Sequence, residues 1–439
     1  MTRAERGAIL AGLVLTALLL ITARTPEAGA GWRLAFVGIH LVAAAASAFA
    51  VWRMPLSRRA VLWGAVLFRV CALPMVPTLS DDGYRYLWDG LMTVEAGTSP
   101  YRYRPSDPAL EAWHDRPEYD RMNSRAYYSV YPPASQLAFA AAVGLSPGAD
   151  WRSAWWLWKV LMVLAEMVAV MALLQIVKPA SAALYAWSPL AVVEIAGQGH
   201  TEALVLLGLA ATLTASGRML PLRSLGVALA GAVKLYPLAL LPQAWRRDGW
   251  TGVAASVVVL GVLSVPLVAP GAAAHVSESL GLFFGTFDEY AAPYRVLKAA
   301  LYPVLGDGAG QTASAALGGA FVLGAAWAWL SDDGTGRSMR LSLAVVVLGF
   351  AASAAVLHPW YWTTVLFILP LLHPKIPLCW VASWSTTSYL SYGLPHSTLP
   401  VLVIGWGGGL ALAWHLRRQT PKATAPPSRG PARPWPTPH

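Results

Sequence analysis

Residues 152–177, RSAWWLWKVLMVLAEMVAVMALLQIV, decide the class of fold. A helix that crosses the hydrocarbon core of a bilayer needs about 20 mostly apolar residues. This run exceeds that length and interrupts it with only Lys159 and Glu166 after Arg152. Comparable runs lie at 7–23, 31–52, 60–78, 180–197, 201–216, 250–269, 311–330, 340–357, 360–373, 376–393 and 399–416. Shorter or broken ones lie at 132–147, 221–245 (interrupted at Lys234 and Pro237) and 293–305. The expectation is an all-α polytopic membrane protein, with about 12 transmembrane helices plus re-entrant or short ones in a single domain over 1–418. The broken runs matter because non-helical backbone at membrane depth survives only inside protein or around a water-filled cavity.

Composition agrees. Of 439 residues, 56% are hydrophobic and 12% charged, with a mean hydropathy of +0.50. A soluble domain carries about 25% charged residues, so this chain cannot cover a water-facing surface of its size. That excludes a soluble enzyme, a nucleic-acid-binding domain and a disordered scaffold. The net charge of +10 reads as the positive-inside bias of membrane loops rather than as a nucleic-acid footprint. Cys71 and Cys379 both sit in apolar runs and read as packing residues.

Lys and Arg near the span ends set the expected orientation. Arg53, Arg58 and Arg59, Arg246 and Arg247, Arg337 and Arg340, Lys375, and Arg417 and Arg418 would lie in the cytoplasm. Both chain ends are then inside, and 79–131, 198–200, 270–295 and 358–361 face out. This requires 132–147 and 221–245 to enter and leave on the same face. The start, Thr2-Arg3-Ala4-Glu5-Arg6 and an apolar run, has a signal-peptide shape, but with so many spans following we expect an uncleaved first helix. The tail 419–439 holds seven prolines, three basic residues and no acid, and is expected to be a disordered cytoplasmic extension.

The remaining charge is concentrated. Segment 81–131 holds nine acidic and six basic residues and eight of the sixteen tyrosines. It begins Ser80-Asp81-Asp82-Gly83-Tyr84-Arg85-Tyr86-Leu87-Trp88-Asp89-Gly90. Two adjacent carboxylates at the mouth of a membrane helix have two readings. Asp82 could cap a short helix running to about Ala96, or serve as a general base taking a proton from an acceptor hydroxyl.

The pattern Asp82-x-Tyr84-Arg85-Tyr86-x-Trp88-Asp89-Gly90 resembles the first outward loop of the GT-C glycosyltransferases, especially bacterial mannosyltransferases that use polyprenyl-phosphate mannose. Ser99-Pro100-Tyr101 with Pro105-Ser106-Asp107-Pro108 is similar to their "NPY…P-x-D-P" stretch, and Tyr131-Pro132-Pro133 to their "YPP". Ser188-Pro189-Leu190…Glu194…Gly199-His200-Thr201-Glu202 is similar to "NPL…E…GHND". Lys234-Leu235-Tyr236-Pro237 and His358-Pro359-Trp360-Tyr361 also have counterparts. These matches follow the family's order over about 280 residues. The chain departs from the pattern at Ser188, at Thr201-Glu202 and at Gly83.

The resemblance implies sugar transfer from a lipid-phosphate carrier to a glycan or glycolipid acceptor, at the outer face of a bacterial inner membrane. Asp82 matches the family's base, with Asp81 the alternative, and a β-linked donor would give an inverted, α-linked product. No nucleotide fingerprint follows a strand, and no cofactor is called for, although a divalent ion bridging carboxylates and phosphate is conceivable. The leaving phosphate needs cations or aimed donors. Lys234, Arg295 and Arg85 are the candidates, against snorkelling for Lys234 and a solvated ion pair with Asp81, Asp82 or Asp89 for Arg85. Tyr84, His200, Glu202, His358 and Tyr361 complete the expected substrate-binding set. Glu194 reads as a hydrogen-bonded core carboxyl. The expected partners are membrane lipids, the lipid-linked sugar and the acceptor, with no nucleic acid. The rival class is a transporter or flippase of lipid-linked glycans, which explains the spans and intramembrane charges but not the loop.

Overall fold

The computed structural model describes residues 1–23, 30–146, 150–215, 220–285, 291–372 and 389. Among them the architecture is all-helical. The apolar helices α1 (Arg3–Ala23) and α2 (Ala30–Arg53) pack together, and α1 also packs on α3 (Arg58–Ala72). The α3 start is set by Ser57, whose side chain accepts from the Ala60 amide. After a link at 73–80 comes the outer segment: α4 (Asp82–Val94), a 3-10 turn at Pro108–Trp113, and α5 (Pro117–Arg121). Then follow α6 (Pro133–Gly144), α7 (Trp151–Ile176), α8 (Pro179–Ala186) and α9 (Pro189–Ala191), which runs into a π-helical turn over Val192–Gly197. Beyond it lie α10 (Glu202–Thr214), α11 (Leu222–Val233), a 3-10 turn at Tyr236–Leu240, and α12 (Leu241–Leu263). The described order ends with α13 (Ala272–Gly285), α14 (Ala292–Leu305), α15 (Ala309–Leu330), α16 (Gly336–Ser353) and α17 (Tyr361–Leu372).

Five described stretches are long and apolar enough to cross a membrane: Arg3–Ala23, Leu34–Arg53, Trp151–Ile176, Ala292–Leu330 and Gly336–Ser353. A sixth arises if α8 and the Pro189–Gly197 segment count as one span bent by 46°. Such helices fit a membrane protein. The expected total of about twelve is not reached among the described residues, for specific reasons. Runs 60–78, 201–216 and 360–373 fold as helices of 15, 13 and 12 residues, each shorter than a single span. Run 250–269 lies mostly in α12, where Gly249 (φ 67°, ψ −158°) breaks the helix. Run 376–393 apart from Tyr389, run 399–416, the tail 419–439, and Cys379, Lys375, Arg417 and Arg418 lie outside the described residues.

The two segments that had to return to their own face are short. α6 has 12 residues, about 18 Å of helix at about 1.5 Å per residue, against a hydrocarbon core of about 30 Å. Segment 221–245 is broken where the sequence placed the interruption: α11 stops at Val233, Lys234 is extended (φ −143°, ψ 137°), and Pro237 opens a 3-10 turn.

A buried polar clamp holds the scaffold. Arg69 of α3 meets Glu166 of α7 through two hydrogen bonds of 2.6 Å, and the Tyr185 hydroxyl of α8 donates to the same carboxylate at 2.7 Å. Arg69 also donates to the Ala186 carbonyl at 2.8 Å. All three side chains are fully buried. A paired charge survives there because its lone pairs and protons are satisfied. The clamp fixes the end of α3, from which the chain departs toward Asp81 and Asp82.

Candidate functional site

The 73–80 link is pinned from two sides. Lys159 of α7 donates to the carbonyls of Leu73 and Met75, and the Trp155 indole donates to Met75 at 3.3 Å. From the other side, Gln198 accepts from the amides of Thr78 and Leu79, each at 3.1 Å, and donates to the Val76 carbonyl at 3.3 Å. One side chain therefore joins the approach to Asp82 with the segment that carries His200.

Neither acid caps α4 through its side chain. Asp81 precedes the helix, and its Oδ2 accepts instead from the Asn123 amide at 2.9 Å. Asp82 is the first helical residue, and the Tyr131 side chain neighbours its carboxylate. Asp82 lies within electrostatic reach of His200, Lys234 and Glu202. Burial raises its pKa above the ordinary carboxylate value, while His200 and Lys234 oppose that shift. Asp81 is also raised, first by burial and then by the neighbouring Asp82 charge.

Two glycines let these parts approach. Gly199 has a φ of +70°, and a Cβ there would lie 2.7 Å from the Trp155 ring. The Trp158 indole reaches past it to the Gly199 carbonyl at 2.7 Å. At Gly83 a Cβ would also lie 2.7 Å from the Trp155 ring.

His200 is fully buried. Its Nδ1 lies 3.2 Å from the Tyr86 hydroxyl, and its Nε2 lies 3.1 Å from the Glu194 carboxylate. Glu194 also accepts from the Tyr389 hydroxyl, which agrees with its reading as a core carboxyl. The π-turn aims it, since the His200 amide bonds to the Glu194 carbonyl at 3.0 Å. The His200 ring stacks on Trp360 at 3.9 Å, and His358 stacks on Trp360 at 4.4 Å. Trp360 is itself buried.

Lys234 makes an ion pair with Glu202 and sets its ammonium 3.9 Å from the Tyr361 ring centroid. Glu202 is 1% exposed, and its Oε2 has no partner among the described residues. Tyr361 shares an electrostatic neighbourhood with Lys234, Glu202 and Asp82. The structure thus gathers Asp82, His200, Glu202, Lys234, His358 and Tyr361, which span about 280 residues of sequence.

Two expected site residues, Arg85 and Tyr84, are engaged elsewhere. Arg85 pairs with Asp89 at 2.8 Å and donates to the carbonyls of Ser124 at 2.9 Å and Tyr127 at 3.0 Å. It is buried rather than solvated, at 3% exposure, and it anchors the returning loop. Asp89 completes that anchor by accepting from Ser129 at 2.5 Å and Gln136 at 2.9 Å. Tyr84 packs on Trp151, with Arg121 over its ring. Arg295 lies half-buried on α14, which packs against α15 and α16. Phe287, Asp288, Glu289 and Tyr290, a few residues before it, lie outside the described residues.

Sequence reasoning missed Tyr86, Tyr131, Trp360 and Gln198 as site residues. The first three stand inside the quoted motifs, whereas Gln198 carried no signal beyond adjoining Gly199-His200. Among the described residues no group of three or more His, Cys, Asp or Glu is arranged to hold a metal ion. No protein-family model, curated protein or solved structure matches the chain.

Proposed function

We propose that the protein is a polyprenyl-phosphate-sugar-dependent glycosyltransferase of the GT-C type, with mannose as the sugar. It works at the outer face of a bacterial inner membrane on a glycan or glycolipid acceptor. The observation that carries this reading is the convergence on Asp82 of Lys234, His200, Glu202 and Tyr361. They come from three separate sequence motifs, His200 and Glu202 sharing one.

In this scheme an acceptor hydroxyl oxygen attacks the anomeric carbon as the carbon–oxygen bond to the lipid phosphate breaks. Asp82 takes the hydroxyl proton. The electron pair of the broken bond leaves on the phosphate, where Lys234 is the cation at hand. Attack opposite the leaving group inverts the centre. Asp81 is the weaker candidate for the base, because one of its oxygens is held by the Asn123 amide. His200 and Lys234 favour the ionised form of Asp82, and the outer segment 79–131 forms a cover with short surface helices.

The test is turnover of radiolabelled polyprenyl-phosphate mannose by purified protein in detergent with a glycolipid acceptor present. Sugar transfer supports the enzyme reading. Detergent abolishes compartments, so a transporter or flippase would leave the donor intact. Mass spectrometry of cell glycolipids with and without the gene then identifies the product.

A further inference from the structure

Far from this cluster, α1, α2 and the bend at Pro189 enclose a groove of about 310 Å³. Its walls include Gly7, Ala11, Leu15, Ala46, Phe49 and Val192. Gly7, Ala11, Ala46 and Phe49 are exposed, so the groove opens sideways on the surface where a bilayer would lie. Two hydroxyls in its lining are already spent: Thr16 donates to the Gly12 carbonyl at 2.8 Å and Ser47 to the Trp187 carbonyl at 2.9 Å. What remains to receive a ligand is hydrocarbon.

The groove has a direction. It runs along α1 from Ala4 to Thr16, which is about 18 Å at about 1.5 Å per residue. One leaflet of the hydrocarbon core is about 15 Å deep. The mouth lies at the Ala4 and Met54 end, where Arg3, Arg6, Arg53, Arg58 and Arg59 are all exposed. Arg53 lies over the ring of Phe49, a wall residue, at 5.9 Å. The acid of that region, Glu5, is buried and turned inward, accepting from the Ser57 amide at 2.7 Å and the Thr2 amide at 2.6 Å. It leaves the arginines unneutralised.

We propose that this groove is a binding site for an anionic glycerophospholipid of the leaflet that meets the arginine-rich ends of α1–α3. An acyl chain fills the groove and the phosphate sits among Arg3, Arg53, Arg58 and Arg59. The apolar slot matches a leaflet-long chain, and the mouth carries the opposite charge to the headgroup. The site is independent of the reaction proposed above, because none of its residues belongs to the Asp82 cluster.

The test is native mass spectrometry of the purified full chain titrated separately with phosphatidylglycerol, phosphatidylcholine and a polyprenyl phosphate. Three variants accompany the wild type: Ala11→Phe and Gly7→Phe, which fill the slot, and Arg53→Gln, a surface change that leaves packing intact. The expected result is selective retention of phosphatidylglycerol, lowered in both filling variants. In Arg53→Gln retention falls about fivefold, the effect of one surface cation on an anionic lipid. Equal retention of both phospholipids, or wild-type retention in Arg53→Gln, overturns the proposal. Tighter retention of the polyprenyl phosphate than of phosphatidylglycerol also overturns it, by assigning the groove to the carrier.

Discussion

The Tyr86 hydroxyl lies 3.2 Å from Nδ1 of His200, across 114 residues of sequence. This contact joins the helix that begins at Asp82 to the turn that carries Glu194, and it orients an imidazole already stacked on Trp360. Tyr86→Phe removes one buried hydrogen bond, whose net value is about 1 kcal/mol. Transfer should fall about fivefold, with the thermal unfolding temperature in detergent lowered only slightly. A rate equal to wild type would mean that His200 orientation is set by Trp360 and Glu194 alone.

Asp82 carries a testable pH dependence. Burial raises its pKa, and a protonated carboxyl cannot accept the acceptor's proton. Transfer should therefore fall as pH drops through a value above the ordinary carboxylate pKa of about 4. The stability effect has the opposite sense. The folded state holds this proton more tightly than the unfolded chain does, so ionised Asp82 weakens the fold above its folded pKa. That penalty disappears as pH falls through the folded pKa. Asp82→Asn should thus be at least as stable as wild type at neutral pH, as thermal unfolding in detergent would read.

The Lys234–Glu202 ion pair separates binding from folding. Lys234→Met leaves the Glu202 carboxylate buried without its cation, at a cost of about 3–5 kcal/mol. Adding Glu202→Gln should recover most of that stability in a thermal melt. Transfer should stay low in the double variant, because the cation for the leaving phosphate is still missing. Recovery of transfer together with stability would assign Lys234 a purely structural role.

Arg69 and Glu166 make the equivalent test for the scaffold. Arg69→Met alone should destabilise by about 3–5 kcal/mol through the stranded Glu166 charge. Arg69→Met combined with Glu166→Leu should be milder than either single change. A double-mutant cycle of unfolding temperatures checks this, and additive losses would contradict it.

Much of this organisation was legible in the sequence because it rests on local signals. Apolar runs located α1, α2, α7, α15 and α16, and Lys234 and Pro237 marked a real interruption in segment 221–245. The short helix starting at Asp82 was also foreseen, and it ends at Val94 rather than near Ala96. What local signals could not give is partnership. For Arg85 a pair with Asp89 was one of the two readings, but its burial and its bonds to the Ser124 and Tyr127 carbonyls, about 40 residues on, were not. Nothing local to the His358-Pro359-Trp360-Tyr361 motif shows that His200, more than 150 residues earlier, also stacks on Trp360. Gln198 bonds back to the 76–79 backbone only because Gly199 turns the chain there. Run 201–216 was apolar enough for a span and still forms a 13-residue helix, which starts just after the positive-φ Gly199.

The central claim is that Asp82 takes the acceptor's proton, and one comparison tests it most directly. Purified wild type, Asp82→Asn and Asp81→Asn would each receive radiolabelled polyprenyl-phosphate mannose and a glycolipid acceptor, with folding verified by thermal unfolding. The account predicts transfer by wild type, loss of at least about 100-fold in Asp82→Asn, in line with removal of a general base, and retained activity in Asp81→Asn. Transfer by Asp82→Asn at the wild-type rate would contradict it.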